Sequence, residues 1–60
     1  MPGKEIYVEF VVMGNTVKVT AIDSGSGLEA SVVGPASAPR GALADAARRK
    51  LEYLEKKKRV

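Results

Sequence analysis

Sixty residues make one domain and no more, and a chain of that size buries only about 60% of the surface its unfolded form exposes. The chain has no Cys and no His, which excludes disulfide staples, zinc fingers, imidazole general bases and thiol nucleophiles together. Of the devices that help a small core, a partner chain is the one left. With 45% apolar residues and a net charge of +3, the chain is not a disordered tail.

The first segment, Met1 to Glu5, lacks the layout of a signal peptide, because alternating strand residues follow it directly. From Lys4 to Met13 the chain reads as a strand, rich in β-branched and aromatic side chains with a period near two. Gly14-Asn15 then supplies a dipeptide that tolerates the backbone angles of a tight hairpin turn, and alternation resumes from Thr16 to Asp23. A two-residue loop fixes the register: Met13 faces Thr16, Val12 faces Val17, Phe10 faces Val19 and Val8 faces Ala21. Cross-strand partners share a face, so Val8, Phe10, Val12, Val17, Val19 and Ala21 fall on one side, and all six are apolar.

Ser24-Gly25-Ser26-Gly27 is a flexible turn, and Leu28 to Val33 reads as a third strand that sets Ala30 opposite Ala21 and Val32 opposite Val19. Gly34-Pro35 stops it, since proline cannot donate to a ladder. Ala36 to Arg40 resembles a helix start, with Ser37 or Ala38 near the cap and Pro39 in the first turn. Beyond it Leu43, Ala46, Ala47, Leu51 and Leu54 recur as one helical stripe whose alanines allow close packing on a sheet. Asp45–Arg49 and Glu52–Lys56 have the spacing of i,i+4 ion pairs. The expected fold is therefore α+β, a three-stranded antiparallel meander (β-β-β) with one C-terminal helix packed on one face. It forms a single domain over residues 1–60, with strands at about 4–13, 16–23 and 28–33 and a helix at about 38–57.

Four features bear on function. A single helix shields one side of the sheet, yet the other side carries Tyr7, Val11, Met13, Ile22 and Val33 among its polar residues. Scattered surface apolars are normal, but in so small a protein this set points to a protein contact. The outer strands of a meander each have one unpaired edge, free of interior proline, where a second copy can pair.

The charge is also uneven. Residues 1–39 hold Lys4 and Lys18 against Glu5, Glu9, Asp23 and Glu29, whereas Arg40, Arg48, Arg49, Lys50, Lys56, Lys57, Lys58 and Arg59 follow against only Asp45, Glu52 and Glu55. A basic helix is the electrostatic footprint of a nucleic-acid binder. Cations in the last helical turns also complement the macrodipole and keep a small protein soluble. No aromatic residue is interleaved with the basic ones as a stacking platform, so the solvated-face reading is preferred. Finally, Gly34 to Gly41 offers a helix N-terminus with a Ser and an Arg, but no phosphate-loop spacing, and reads as structural punctuation.

Ser24, Ser26, Ser31 and Ser37 have no His to activate them. Asp23, Glu29 and Glu9 make no paired-carboxylate or EF-hand-like pattern. No catalytic, cofactor or metal site is expected, and no small-molecule substrate.

Two resemblances bear on this reading. Met13 to Asp23, followed by Gly34-Pro35-Ala36-Ser37-Ala38 and Arg49-Lys50-Leu51-Glu52-Tyr53, resembles a family of very short uncharacterised proteins from alphaproteobacteria, a domain of unknown function. It spans nearly the whole chain and implies a cytosolic bacterial protein without a known activity. More weakly, Arg40, Ala42, Ala46, Ala47, Leu51 and Leu54 fall where the C-terminal half of double-stranded RNA-binding domains places a basic residue, alanines and leucines. That family's first helix is missing, and its two consecutive lysines are here Pro39 and Arg40.

The function expected from the sequence is a non-enzymatic protein-interaction module in the cytoplasm, a homodimer or small subunit of a larger assembly, with Tyr7, Val11, Met13, Ile22 and Val33 at the contact. The alternative is a nucleic-acid-binding module using Arg40, Arg48, Arg49, Lys56, Lys57, Lys58 and Arg59. No membrane partner is expected, since the longest apolar run, Phe10 to Met13, falls far short of the about 20 residues of a bilayer span.

Overall fold

The computed structural model describes residues 5–58. Strand β1 (Ile6–Met13) turns at Gly14-Asn15 into β2 (Thr16–Asp23), which is followed by β3 (Glu29–Pro35) and helix α1 (Arg40–Lys58). The sheet is an antiparallel meander in the order β1-β2-β3. The hairpin register is the expected one, with Val8 opposite Ala21, Phe10 opposite Val19 and Met13 opposite Thr16. Ala21 faces Ala30 and Val19 faces Val32 on the other side. Of the two turn residues only Gly14 takes a positive φ, +60°. This is the geometry of a hairpin whose first central position calls for glycine.

Three boundaries differ from expectation: β1 begins at Ile6, with Glu5 outside it and Lys4 outside the described residues, and the other two fall at the end of β3 and the start of α1. The third strand runs past Val33 to Pro35, because Ala36 N still donates to Asn15 O at 2.8 Å and carries the ladder on. Proline is tolerated there since β3 is an edge strand. Pro39 stands one residue outside the helix, where its carbonyl accepts from Ala42 N and Leu43 N at 3.2 and 3.3 Å and so acts as the cap.

The core lies where α1 crosses β2 and β3. Val17, Val19, Ala21, Ala30, Ala47 and Leu51 are buried, with Val8, Leu28, Val32, Leu43 and Leu54 packed partly around them. Ala44 is buried and Ala46 exposed, the reverse of the expected stripe, because Ala44 stands one turn before Ala47 on the face that meets the sheet. Small residues at the crossing (Ala21, Ala30, Gly34, Ala44, Ala47) bring the helix down close to the strands. Asp23 is the one buried charged side chain among the described residues. Its Oδ1 accepts from Gly25 N at 2.8 Å and Ser26 N at 3.1 Å, closing the β2–β3 loop.

Candidate functional site: the uncovered first strand

Helix α1 lies against β3 and β2 and barely reaches β1. The cause is the connection: only residues 36–39 separate β3 from α1, so the helix must settle beside the strand it has just left. A helix is about 10 Å across and neighbouring strands are about 4.8 Å apart, so one helix seated over two strands leaves the third without cover.

The consequence falls on residues the sequence assigned to the core. Val8, Phe10 and Val12 do share the helix side with Val17, Val19 and Ala21, but Phe10 keeps 37% of its surface exposed and Val12 56%. Ile6 is exposed on the same side. It borders an open groove of about 450 Å³ whose other wall is the α1 flank of Arg48, Arg49, Leu51, Glu52 and Glu55. Farther along the strand the Arg40 guanidinium stands 5.5 Å from the centre of the Phe10 ring, a cation–π contact that partly roofs it.

On the far side of the sheet Tyr7, Val11, Met13 and Val33 are exposed, and Ile22 is half-buried between Tyr7 and Glu29. The five candidate contact residues thus share a face, but they do not form one patch. A polar row crosses its middle from Glu9 through Thr20 to Ser31, with Thr20 Oγ1 and Ser31 Oγ hydrogen-bonded at 3.0 Å. Lys18 stands between Val11 and Val33. What is continuous is β1 itself: Ile6, Tyr7, Phe10, Val11, Val12 and Met13 are all exposed, on both faces of one strand. Ile6, Phe10 and Val12 were missed because strand periodicity reports which face a residue takes and not whether the helix reaches it. The short connection after β3 was the signal that could have found them.

The two edges of the sheet differ as well. Leu28 O accepts from Asp23 N at 2.9 Å, so even-numbered residues of β3 face β2 and Ser31 turns its carbonyl outward. Lys50 Nζ meets that carbonyl at 2.9 Å, placing a cation on the outer edge, a common device against edge pairing. In β1, Glu5 O accepts from Ser24 N at 2.9 Å, so the outward backbone groups belong to Ile6, Val8, Phe10 and Val12. Among the described residues nothing bonds to them.

The basic residues are dispersed around α1. Arg48 pairs with Asp45 at 3.4 Å, an i,i+3 contact in place of the expected Asp45–Arg49 pair. Arg48 and Arg49 border the groove beside β1, whereas Lys50 reaches the opposite edge of the sheet. Lys57 lies 5.8 Å over the Tyr53 ring, so, against expectation, one exposed aromatic side chain does stand among the basic residues, and Lys56 is exposed. Arg59 and the side chain of Lys58 lie outside the described residues. Of the carboxylates, Glu9 and Glu29 are on the face away from the helix and Asp23 is beneath it. Among the described residues no three potential ligands are grouped as a metal would need, and no helix is long and apolar enough to cross a membrane.

Fold and edge together define a class: a minimal β-β-β-α domain with one defended sheet edge and one open one. The chain belongs to the family described as a domain of unknown function (DUF6898), whose model matches residues 3–58. No match was found among the curated proteins or among the solved structures.

Proposed function

We propose that this protein is a non-enzymatic protein-interaction module, self-associating or seated in a larger assembly, and that β1 is its contact strand. One observation carries the reading: six of the large apolar side chains of the molecule stand exposed on a single eight-residue strand. Isolated surface apolars need no explanation, but apolar groups on both faces of an unpaired edge strand expose a template for aggregation unless a partner covers it. The reading keeps the cytosolic bacterial setting that the resemblance to short alphaproteobacterial proteins implies.

The test is photo-crosslinking in cells with a reactive amino acid placed at Val12 or Val11 and, as control, at the exposed Lys56. Protein adducts at the β1 positions and none at Lys56 are expected. Absence of adducts at β1, or equal yields at all three positions, overturns the reading.

A further inference from the structure

Resting on β1 as the contact strand, we propose that its partner is a second copy of this chain, paired antiparallel edge to edge about a two-fold axis at Val8, giving one six-stranded sheet with both helices on the same face.

Backbone geometry restricts the pairing first. The open hydrogen-bonding groups of β1 belong to its even-numbered residues, as fixed by the bond from Ser24 N to Glu5 O. An antiparallel ladder joins outward-facing residues to outward-facing residues. Near the middle of the strand, an axis that also keeps Val8 paired within Ile6–Met13 can therefore fall on Val8, Glu9 or Phe10. Each choice stacks the two β1 strands on matching faces, so each sets apolar residues beside apolar residues on the helix side.

Charge then separates the three. An axis at Glu9 sets that carboxylate directly opposite its own copy, and like charges facing each other across strands are destabilising. An axis at Phe10 brings two Phe10 rings together, and with them the two Arg40 guanidinium groups that lie over those rings. An axis at Val8 sets Phe10 opposite Ile6 of the second copy. Arg40, which lies over Phe10, then comes beside the second copy's groove, which Ile6 borders and which Glu52 and Glu55 line together with Asp45, Arg48 and Arg49. Of the three axes, Val8 is the one that sets Phe10 and the Arg40 above it directly beside Ile6 of the second copy, where two glutamates line the groove. It also joins Ile6, Val8 and Phe10 of both copies into one apolar row between the two helices, filling the space that each helix leaves over its own β1. The β3 edges, each held by Lys50 on the Ser31 carbonyl, stay at the two outer margins. The sheet therefore closes as a dimer and does not propagate.

The chain has no Cys, so single-cysteine variants report the register directly. With the axis at Val8, Tyr7 faces Glu9 of the second copy in a non-hydrogen-bonded pair, whose close spacing suits a disulfide. Equimolar Tyr7→Cys and Glu9→Cys proteins, both exposed positions, are mixed in a glutathione redox buffer while sedimentation measures the mass of the wild type. Expected are a doubling of the 6.4 kDa chain mass and a mixed disulfide formed at the expense of both homodisulfides. Arg40→Glu should weaken the dimer, and Glu52→Arg combined with it should restore the association. A Tyr7→Cys/Val11→Cys mixed disulfide that outruns the Tyr7→Cys/Glu9→Cys one, as an axis at Glu9 would give with both carboxylates intact, or a statistical mixture, overturns the Val8 axis. A wild type that stays monomeric at every concentration overturns self-pairing altogether. In that last case crosslinks from β1 to a different protein leave the contact-strand reading standing, and their absence removes both.

Discussion

Gly34 and Leu43 set how close α1 comes to the sheet: a Cβ placed on Gly34 falls 2.6 Å from Leu43 Cδ2, so the leucine occupies the space that any other residue would need. Gly34 is buried and does not take a positive φ. Its absent side chain is therefore a matter of packing and not of backbone freedom. Gly34→Ala pushes Leu43 out of its seat, and because the clash is with the end of a half-buried side chain the cost is that of mild overpacking, about 1–2 kcal/mol. Chemical denaturation should show a lower midpoint with an unchanged slope, and Leu43→Ala added to Gly34→Ala should not add its full separate cost.

Asp23 organises the β2–β3 loop from inside the fold. Its carboxylate accepts from Gly25 N and Ser26 N, its carbonyl accepts from Gly27 N at 2.8 Å, and its amide donates to Leu28 O at 2.9 Å. Asp23→Ala removes the side-chain acceptor and is expected to destabilise by about 1–3 kcal/mol, a large share of the roughly 3–9 kcal/mol that a domain of this length holds. Asp23→Asn keeps an acceptor oxygen and should recover most of the loss in thermal unfolding.

Lys50 holds the outer edge of β3 through Ser31. Lys50→Ala should change fold stability by only about 0.5–1.5 kcal/mol, as for a single exposed hydrogen bond, while opening a second pairing edge. Circular dichroism should be unchanged, and sedimentation should show species larger than those of the wild type as concentration rises. Lys50→Arg should behave as the wild type.

Tyr7 donates its hydroxyl to Glu5 Oε1 at 2.7 Å, and this bond, with a lesser contribution from burial, raises the phenol's pKa above its ordinary value of 10.0. A phenol whose folded pKa is raised lends stability that is complete below the unfolded pKa and fades as pH climbs through the folded one. Ultraviolet titration of Tyr53→Phe, which isolates Tyr7, should give a midpoint above that ordinary value. Glu5→Gln in the same background should lower it.

The hairpin was legible because two independent constraints agree. A two-residue turn at Gly14-Asn15 admits one register, and that register alone gathers six apolar side chains on one face. The third strand and the helix followed from period and punctuation in the same way. In the sequence Gly34 reads as a stop signal, although its larger role is to let Leu43 in, and Asp23 reads as an ordinary strand residue although it holds a loop together. Both depend on what lies across the core from them, which no local pattern encodes.

The sequence by itself determined the order of elements, the strand register and the face each strand residue takes, because alternation and turn length act between neighbours along the chain. Only the tertiary structure decided where the helix comes to rest across the sheet. A short link from β3 seats α1 over β3 and β2, so Val19 is sealed while Phe10, its direct partner on β1, stays partly open. That sideways placement, a balance of link length and close packing at alanine and glycine, leaves a strand assigned to the core exposed on both of its faces.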